Sequence, residues 1–241
     1  MSKAASYFVL LLAGLALPFT AQALEAGGTL TGDRIWKLED SPVKVRDHIM
    51  IPEGASLKIL PGVTVLFQGY FQLQVKGVLE AVGDPKRMIV FTCEQKDFRK
   101  SMWKGLVLSG EKCKAVISDC VFEYSFRNLC TKSAPIIRSS VFRHNHHGLY
   151  FSNSTQAMVN KNRFFGNTYG VFCDYSSPVL QDNVITNNEF GVYCVFSSSP
   201  LIGQNILEKN TKEDLFLDDS MGKNNVTARN QHLWMLVRSL L

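Results

Sequence analysis

The chain has 241 residues, with 26 Lys and Arg against 21 Asp and Glu, a formal net charge of +5 and a mean hydropathy of +0.00. That length suits one domain with a large core. The charges are scattered rather than gathered into a basic stripe, which excludes the usual electrostatic footprint of a nucleic-acid-binding module. A mild positive balance permits anionic glycans as partners and selects none.

In chain order, residues 1–23 differ from the rest. Lys3 gives a short positive start, Tyr7 to Leu17 is almost unbroken apolar sequence, and Ala21-Gln22-Ala23 is a small-x-small cleavage site. This layout predicts a secretory signal peptide cut after Ala23, its apolar stretch being too short to span a bilayer comfortably; an uncleaved anchor is the alternative. Lys3 is the only charge removed, so the mature chain carries one positive charge fewer than the formal +5. No later segment approaches the roughly 18 apolar residues a span requires. The mature protein is therefore expected to be secreted or periplasmic, with no membrane span.

Residues 24–42, with Leu30, Ile35 and Trp36, are expected to cap the first coil of a stack of strands. Residues 28–110 read as short alternating strands punctuated by Gly and Pro, without helical periodicity, and a polar stretch at 94–102 separates two of them. From residue 115 the chain repeats. Phe122, Phe142, Phe164, Ile185, Leu207 and Thr227 share one position at separations of 20, 22, 21, 22 and 20. Two residues earlier stand Cys120, Ser140, Asn162, Asn183, Asn205 and Asn225; three residues later stand Ser125, Asn145, Asn167, Asn188 and Asn210. Gly148-Leu149, Gly170-Val171 and Gly191-Val192 match one another, with Asn128-Leu129 before them and Asp214-Leu215, slipped by one residue, after them.

A fixed period of this kind predicts an all-β solenoid of coils roughly 20–22 residues long. Each strand pairs in parallel with the same strand one coil on, about 4.8 Å away, so like residues stack on like. Asn is expected at the bends because it tolerates φ > 0 and its amide can bond those above and below. Gly before the inward Leu or Val is expected to make a second sharp corner. Residues 24–227 form the solenoid on this reading. The apolar tail 228–241 caps its last coil or, alternatively, anchors the chain to a membrane or partner.

The run Ile51-Pro52-Glu53-Gly54-Ala55-Ser56-Leu57-Lys58-Ile59-Leu60-Pro61-Gly62-Val63-Thr64-Val65 resembles the opening coils of bacterial right-handed parallel β-helix repeat proteins of the pectin-lyase-like superfamily. The Gly-Val-Leu-Glu-Ala strand at 77–81, the Ile-Val-Phe-Thr strand at 89–92 and Trp103-Lys104-Gly105-Leu106 continue the likeness, which covers 28 to about 227. It implies a right-handed parallel β-helix with terminal caps. That superfamily holds pectate-lyase-like enzymes, epimerases, tailspike-type hydrolases and periplasmic proteins, so fold alone assigns no chemistry.

Carbohydrate-active β-helices work with carboxylates. Here Asp119, Glu123, Asp174, Asp182, Glu189, Glu208, Glu213, Asp218 and Asp219 are scattered, without a repeated acidic motif at equivalent positions. Tyr150, Phe172, Tyr193 and Phe216 form an outward aromatic stripe, one per coil, whose faces are expected to make a platform for sugar rings unless a loop or the tail covers it. His144, His146 and His147 flank a bend and are the candidate ligands for a transition metal, with solvated turn residues as the alternative. Of six cysteines, Cys173 and Cys194 stand one coil apart at the same inward position, as stacked thiols or a rung-to-rung disulfide. No cofactor is expected. The favoured reading is a non-catalytic binder of polysaccharide or envelope glycan. A polysaccharide lyase, hydrolase or epimerase and a periplasmic metal-handling accessory are the alternatives.

Overall fold

The computed structural model describes residues 23–94, 102–153 and 156–218. Residues 1–22 of the expected signal, Asp219, Asn225, Thr227 and the tail 228–241 lie outside the described residues.

The chain winds as a right-handed parallel β-helix with up to three short strands in each coil. One face carries eight strands: Asp33–Trp36, Ser56–Ile59, Val78–Val82, Lys114–Ser118, Ile136–Arg138, Met158–Asn160, Val179–Gln181 and Leu201–Gly203. The second runs from Thr64–Phe67 through Ile89–Cys93, Cys120–Glu123, Val141–Arg143, Arg163–Phe165 and Val184–Thr186 to Ile206–Glu208. The third runs from Gln72–Val75 through Gly105–Ser109, Arg127–Thr131, His147–Ser152, Tyr169–Asp174 and Phe190–Val195 to Glu213–Leu217. The long strand Val43–Ile51 joins the second and third faces into one sheet. Its first residues pair with Thr64–Phe67 and its last with Gln72–Val75.

Alternation within each strand sends one set of apolar side chains inward. On the second face that set is Val65, Phe91, Phe122, Phe142, Phe164 and Ile185, all fully buried. The four phenylalanines stack with ring centroids 4.5, 5.0 and 4.9 Å apart. Each such ring contributes roughly 1.5–3 kcal/mol by burial, and stacking adds about 0.5–1.5 kcal/mol per pair.

The amino-terminal segment lengthens this stack. Glu25–Thr29 pairs with Val43–Ile51, and Asp33–Trp36 pairs with Ser56–Ile59, both in parallel. Trp36 is buried and Leu30 packs against the core, whereas Ile35 points outward at 53% exposure.

Three sequence expectations need correcting. The ladder asparagines are not the left-handed residues; the residue just before each one is. The first corner places Asp119, Ser139, Lys161, Asp182 and Gln204 at φ between 50° and 57°, and the second uses Tyr124, His144, Gly166, Asn187 and Lys209. Where an asparagine follows, as in seven of these ten places, it turns its amide inward along the stack; Cys120, Ser125 and Ser140 take the other three places. Asn167 shows the scheme: Oδ1 accepts from the backbone N–H of Asn145 at 2.9 Å, while Nδ2 donates to Phe142 O at 3.0 Å and to Asn188 Oδ1 at 2.9 Å.

Gly148, Gly170 and Gly191 are likewise not corners. A Cβ at these positions would lie 2.5, 2.7 and 2.3 Å from the carbonyl oxygen of the residue one coil on, so close approach demands glycine. Leu129, finally, is not the equivalent of Leu149. The register shifts between Arg127 and Leu129, so Leu129 pairs with Tyr150 on the outside, and Asn128 takes the inward place.

Candidate functional site

The third face carries the aromatic stripe in two columns rather than one. Tyr150, Phe172, Tyr193 and Phe216 are in register on successive coils and only half-buried. Beside them runs a second column, His147, Tyr169 and Phe190, also in register. A ring lying flat on the sheet is wider than one coil spacing, so rings one coil apart must stack on each other. They do: the first column has centroids 4.9, 5.4 and 4.2 Å apart at interplanar angles of 4°, 19° and 10°. The second has 4.9 and 5.0 Å at 11° and 8°.

The columns meet edge to face. Tyr169 lies 5.2 Å from Phe172 at 90°, and Phe190 lies 5.1 Å from Tyr193 at 73°. The result is a herringbone lattice along the solenoid axis. This corrects the expected flat platform: much of each ring's face is occupied by its neighbours, so ring edges and hydroxyl groups carry more of the outer surface.

Charge is attached at both ends of the lattice. The Arg127 guanidinium sits 4.7 Å from the Tyr150 centroid and 5.1 Å from Phe126, and Lys212 Nζ sits 5.0 Å over Phe190 while pairing with Glu189 at 2.8 Å. The Tyr150 hydroxyl donates to Asp174 at 2.9 Å; burial first, and then this carboxylate, push the phenol up to about 12.

The column of His147, Tyr169 and Phe190 escaped the sequence reading, although its signal was there. Each of these residues stands two positions after a ladder asparagine: Asn145, Asn167 and Asn188.

The three histidines, candidate metal ligands in sequence, do not share one environment. His147 is buried within the lattice, and burial, with the neighbouring His146 and Arg127 acting after it, lowers it to about 3. Its Nδ1 faces His146 Nδ1 at 2.9 Å, so one of the two donates to the other. His144 instead stacks on Tyr124 at 5.7 Å. Among the described residues no group of three or more His, Cys, Asp and Glu side chains is placed to hold a metal ion.

The carboxylates are largely engaged. Glu123 is buried, accepts from Thr92 at 2.7 Å and pairs with Arg143 at 2.7 Å; Glu208 lies 3.6 Å from Lys209. Cys173 and Cys194 are in register and fully buried, and both are thiols. A hydrogen bond to Cys194, reinforced by burial, holds the Cys173 thiol well above its ordinary value. No helix among the described residues is long and apolar enough to cross a membrane.

Stacked parallel coils with an aromatic outer face define a β-helix repeat protein. Residues 90–231 match the family described as the right handed beta helix region, and the chain belongs to that family. Over 64 residues it is 45% identical to Protein bark beetle of Drosophila melanogaster, a stretch that covers 27% of this chain and 2% of that protein. The chain thus matches about 2% of the length of this curated relative. No solved structure matches significantly.

Proposed function

We propose that this is an exported β-helix protein, secreted or periplasmic, that binds a linear polysaccharide or envelope glycan along the third face without transforming it. One observation carries the reading: a two-column aromatic lattice runs along the axis and presents ring edges, three tyrosines and two cationic side chains. Aromatic residues with polar tips suit a ligand that offers both C–H surface and hydroxyl groups. The regular rise of the coils suits a polymer lying parallel to the axis. The amino-terminal segment 1–23 supports export.

A polysaccharide-modifying enzyme is the second reading, since β-helix folds host such chemistry. It requires an acid and a base on one substrate, whereas Glu123, Asp174 and Glu189 each hold a structural partner.

The test is a glycan-array screen of the purified protein beside a Tyr150→Ala/Tyr193→Ala variant whose circular dichroism matches the parent. Binding that falls at least tenfold in the variant supports the face as the site. Binding unchanged by the double substitution removes it, and shortening of a bound glycan would favour the enzyme.

A further inference from the structure

Among the described residues, Cys173 and Cys194 are the one pair of cysteines in register on neighbouring strands. Cys93 pairs with Phe67, Cys120 with Ile89, and Cys130 with Leu108 and Phe151. Cys120 Sγ is also engaged elsewhere, donating to the Ala81 and Ser118 carbonyls at 3.4 and 3.3 Å. The Cys173 and Cys194 thiols, by contrast, are hydrogen-bonded to each other. Neighbouring strands lie about 4.8 Å apart, inside the roughly 4.4–6.8 Å between Cα atoms that a disulfide spans. The pair is flanked along the stack by Phe151 on one side and Leu217 on the other. Both cysteines and Phe151 are fully buried, and Leu217 is partly buried against the core.

We propose that Cys173 and Cys194 form a disulfide site that is open while the chain winds and closed to exchange once the coils have stacked. The oxidant is a small disulfide such as oxidised glutathione. The thiolate of one cysteine attacks it, forming a mixed disulfide and releasing one small thiolate. The thiolate of the other cysteine then attacks the protein-side sulfur and displaces the second. Two cysteine thiols are thereby oxidised, one small disulfide is reduced to two thiols, and the two cysteine protons end on those thiols.

Burial is what sets the timing. Exchange needs a thiolate and an approach to it. In the finished stack both thiols are held neutral inside the core, between Phe151 and Leu217. The same enclosure protects a bond already made from reduction, so the oxidation state is fixed as the coils close. Cys173 follows Phe172 and Cys194 follows Tyr193, so the bond ties together the two middle rungs of the aromatic lattice. This inference does not use the glycan reading. Only the place where the chain meets such an oxidant, outside the cytoplasm, rests on the proposed export.

Cell-free synthesis of the full chain in oxidised-glutathione and reduced-glutathione buffers tests it, with alkylation in denaturant and mass spectrometry as the readout. Synthesis in the oxidising buffer is expected to give two fewer alkylated cysteines and a linked peptide joining Cys173 to Cys194. Chain made in the reducing buffer, and moved to the oxidising one only after folding, is expected to keep all six cysteines alkylatable. Cys173→Ala and, independently, Cys194→Ala, each with circular dichroism matching the parent, are expected to form no bond in the oxidising buffer. Full alkylation of the parent made under oxidation overturns the proposal, as does a bond between other cysteines. Ready oxidation of the finished stack overturns the closing of the site by burial.

Discussion

The coils before residue 119 and those after it close their corners by different chemistry. In the earlier coils a corner is a local turn. Gly54, Gly62 and Gly110 adopt φ of 81°, 87° and 97°, and turns such as Ala55 N–H to Pro52 O and Cys113 N–H to Gly110 O are closed within one coil. In the later coils the corner N–H is bonded by an amide from the next coil, as Asn145 is by Asn167 and Asn162 by Asn183. The consequence shows in spacing. Paired residues Glu80 and Val116 stand 36 apart in sequence, whereas pairs in the later coils stand 20 to 23 apart. A corner satisfied by its own coil tolerates insertion; a corner satisfied by its neighbour holds the period.

The largest effect expected from this contrast is at Asn167. Asn167→Ala strips an acceptor from the Asn145 backbone and a donor from Phe142 O inside the stack, and should cost roughly 3 kcal/mol or more of stability. Gly54→Ala, at a left-handed turn with open space around it, should cost about 1–2 kcal/mol. Denaturant midpoints of the two variants compare them directly; equal losses would erase the distinction between the two kinds of corner.

Next in size is a pH effect confined to the later coils. His147 is depressed to about 3 in the folded chain, against an ordinary value near 6.5, so the unfolded chain binds the extra proton between those limits. Its contribution is complete above pH 6.5 and is lost as pH falls towards 3. His147→Phe, which keeps a ring in the column, should flatten this part of the stability curve. An unchanged slope in the variant would assign the acid sensitivity to other groups.

The smallest effect is expected on the outside of the earlier coils. Lys58→Ala breaks an ion pair whose side chains are 45 and 46% exposed, and should change stability by no more than about 1 kcal/mol. Thermal melting at low and high salt would register a larger loss as evidence that the early coils depend on their surface charges.

The repeat was legible because stacking forces like onto like: a column of Phe122, Phe142 and Phe164 leaves a period in the sequence that any inward ladder must leave. Which residue of a corner takes the unusual backbone angle was not legible. The left-handed positions are occupied by residues as different as Asp182, Lys161 and Tyr124, and it is the residue after them, most often asparagine, that repeats in type. The candidate site was half visible. Tyr150, Phe172, Tyr193 and Phe216 emerged from alternation, but the ring orientation is set by coil spacing against ring width, which a one-dimensional pattern does not display. The shift at Leu129 was hidden for a related reason, since an Asn-Leu pair imitates Gly-Leu in sequence while its partners differ in space.

The glycine column has a further consequence for how such a stack is assembled. Parallel strands of similar sequence can slide by two residues and still keep apolar groups inside. Between Gly148, Gly170 and Gly191 that freedom is missing, because the gap beside each carbonyl has no room for a Cβ. A coil displaced by two residues would drive Phe172 or Tyr193 into that gap. The glycines therefore work as a key and slot, admitting one vertical alignment and rejecting its nearest imitations while the solenoid is being wound.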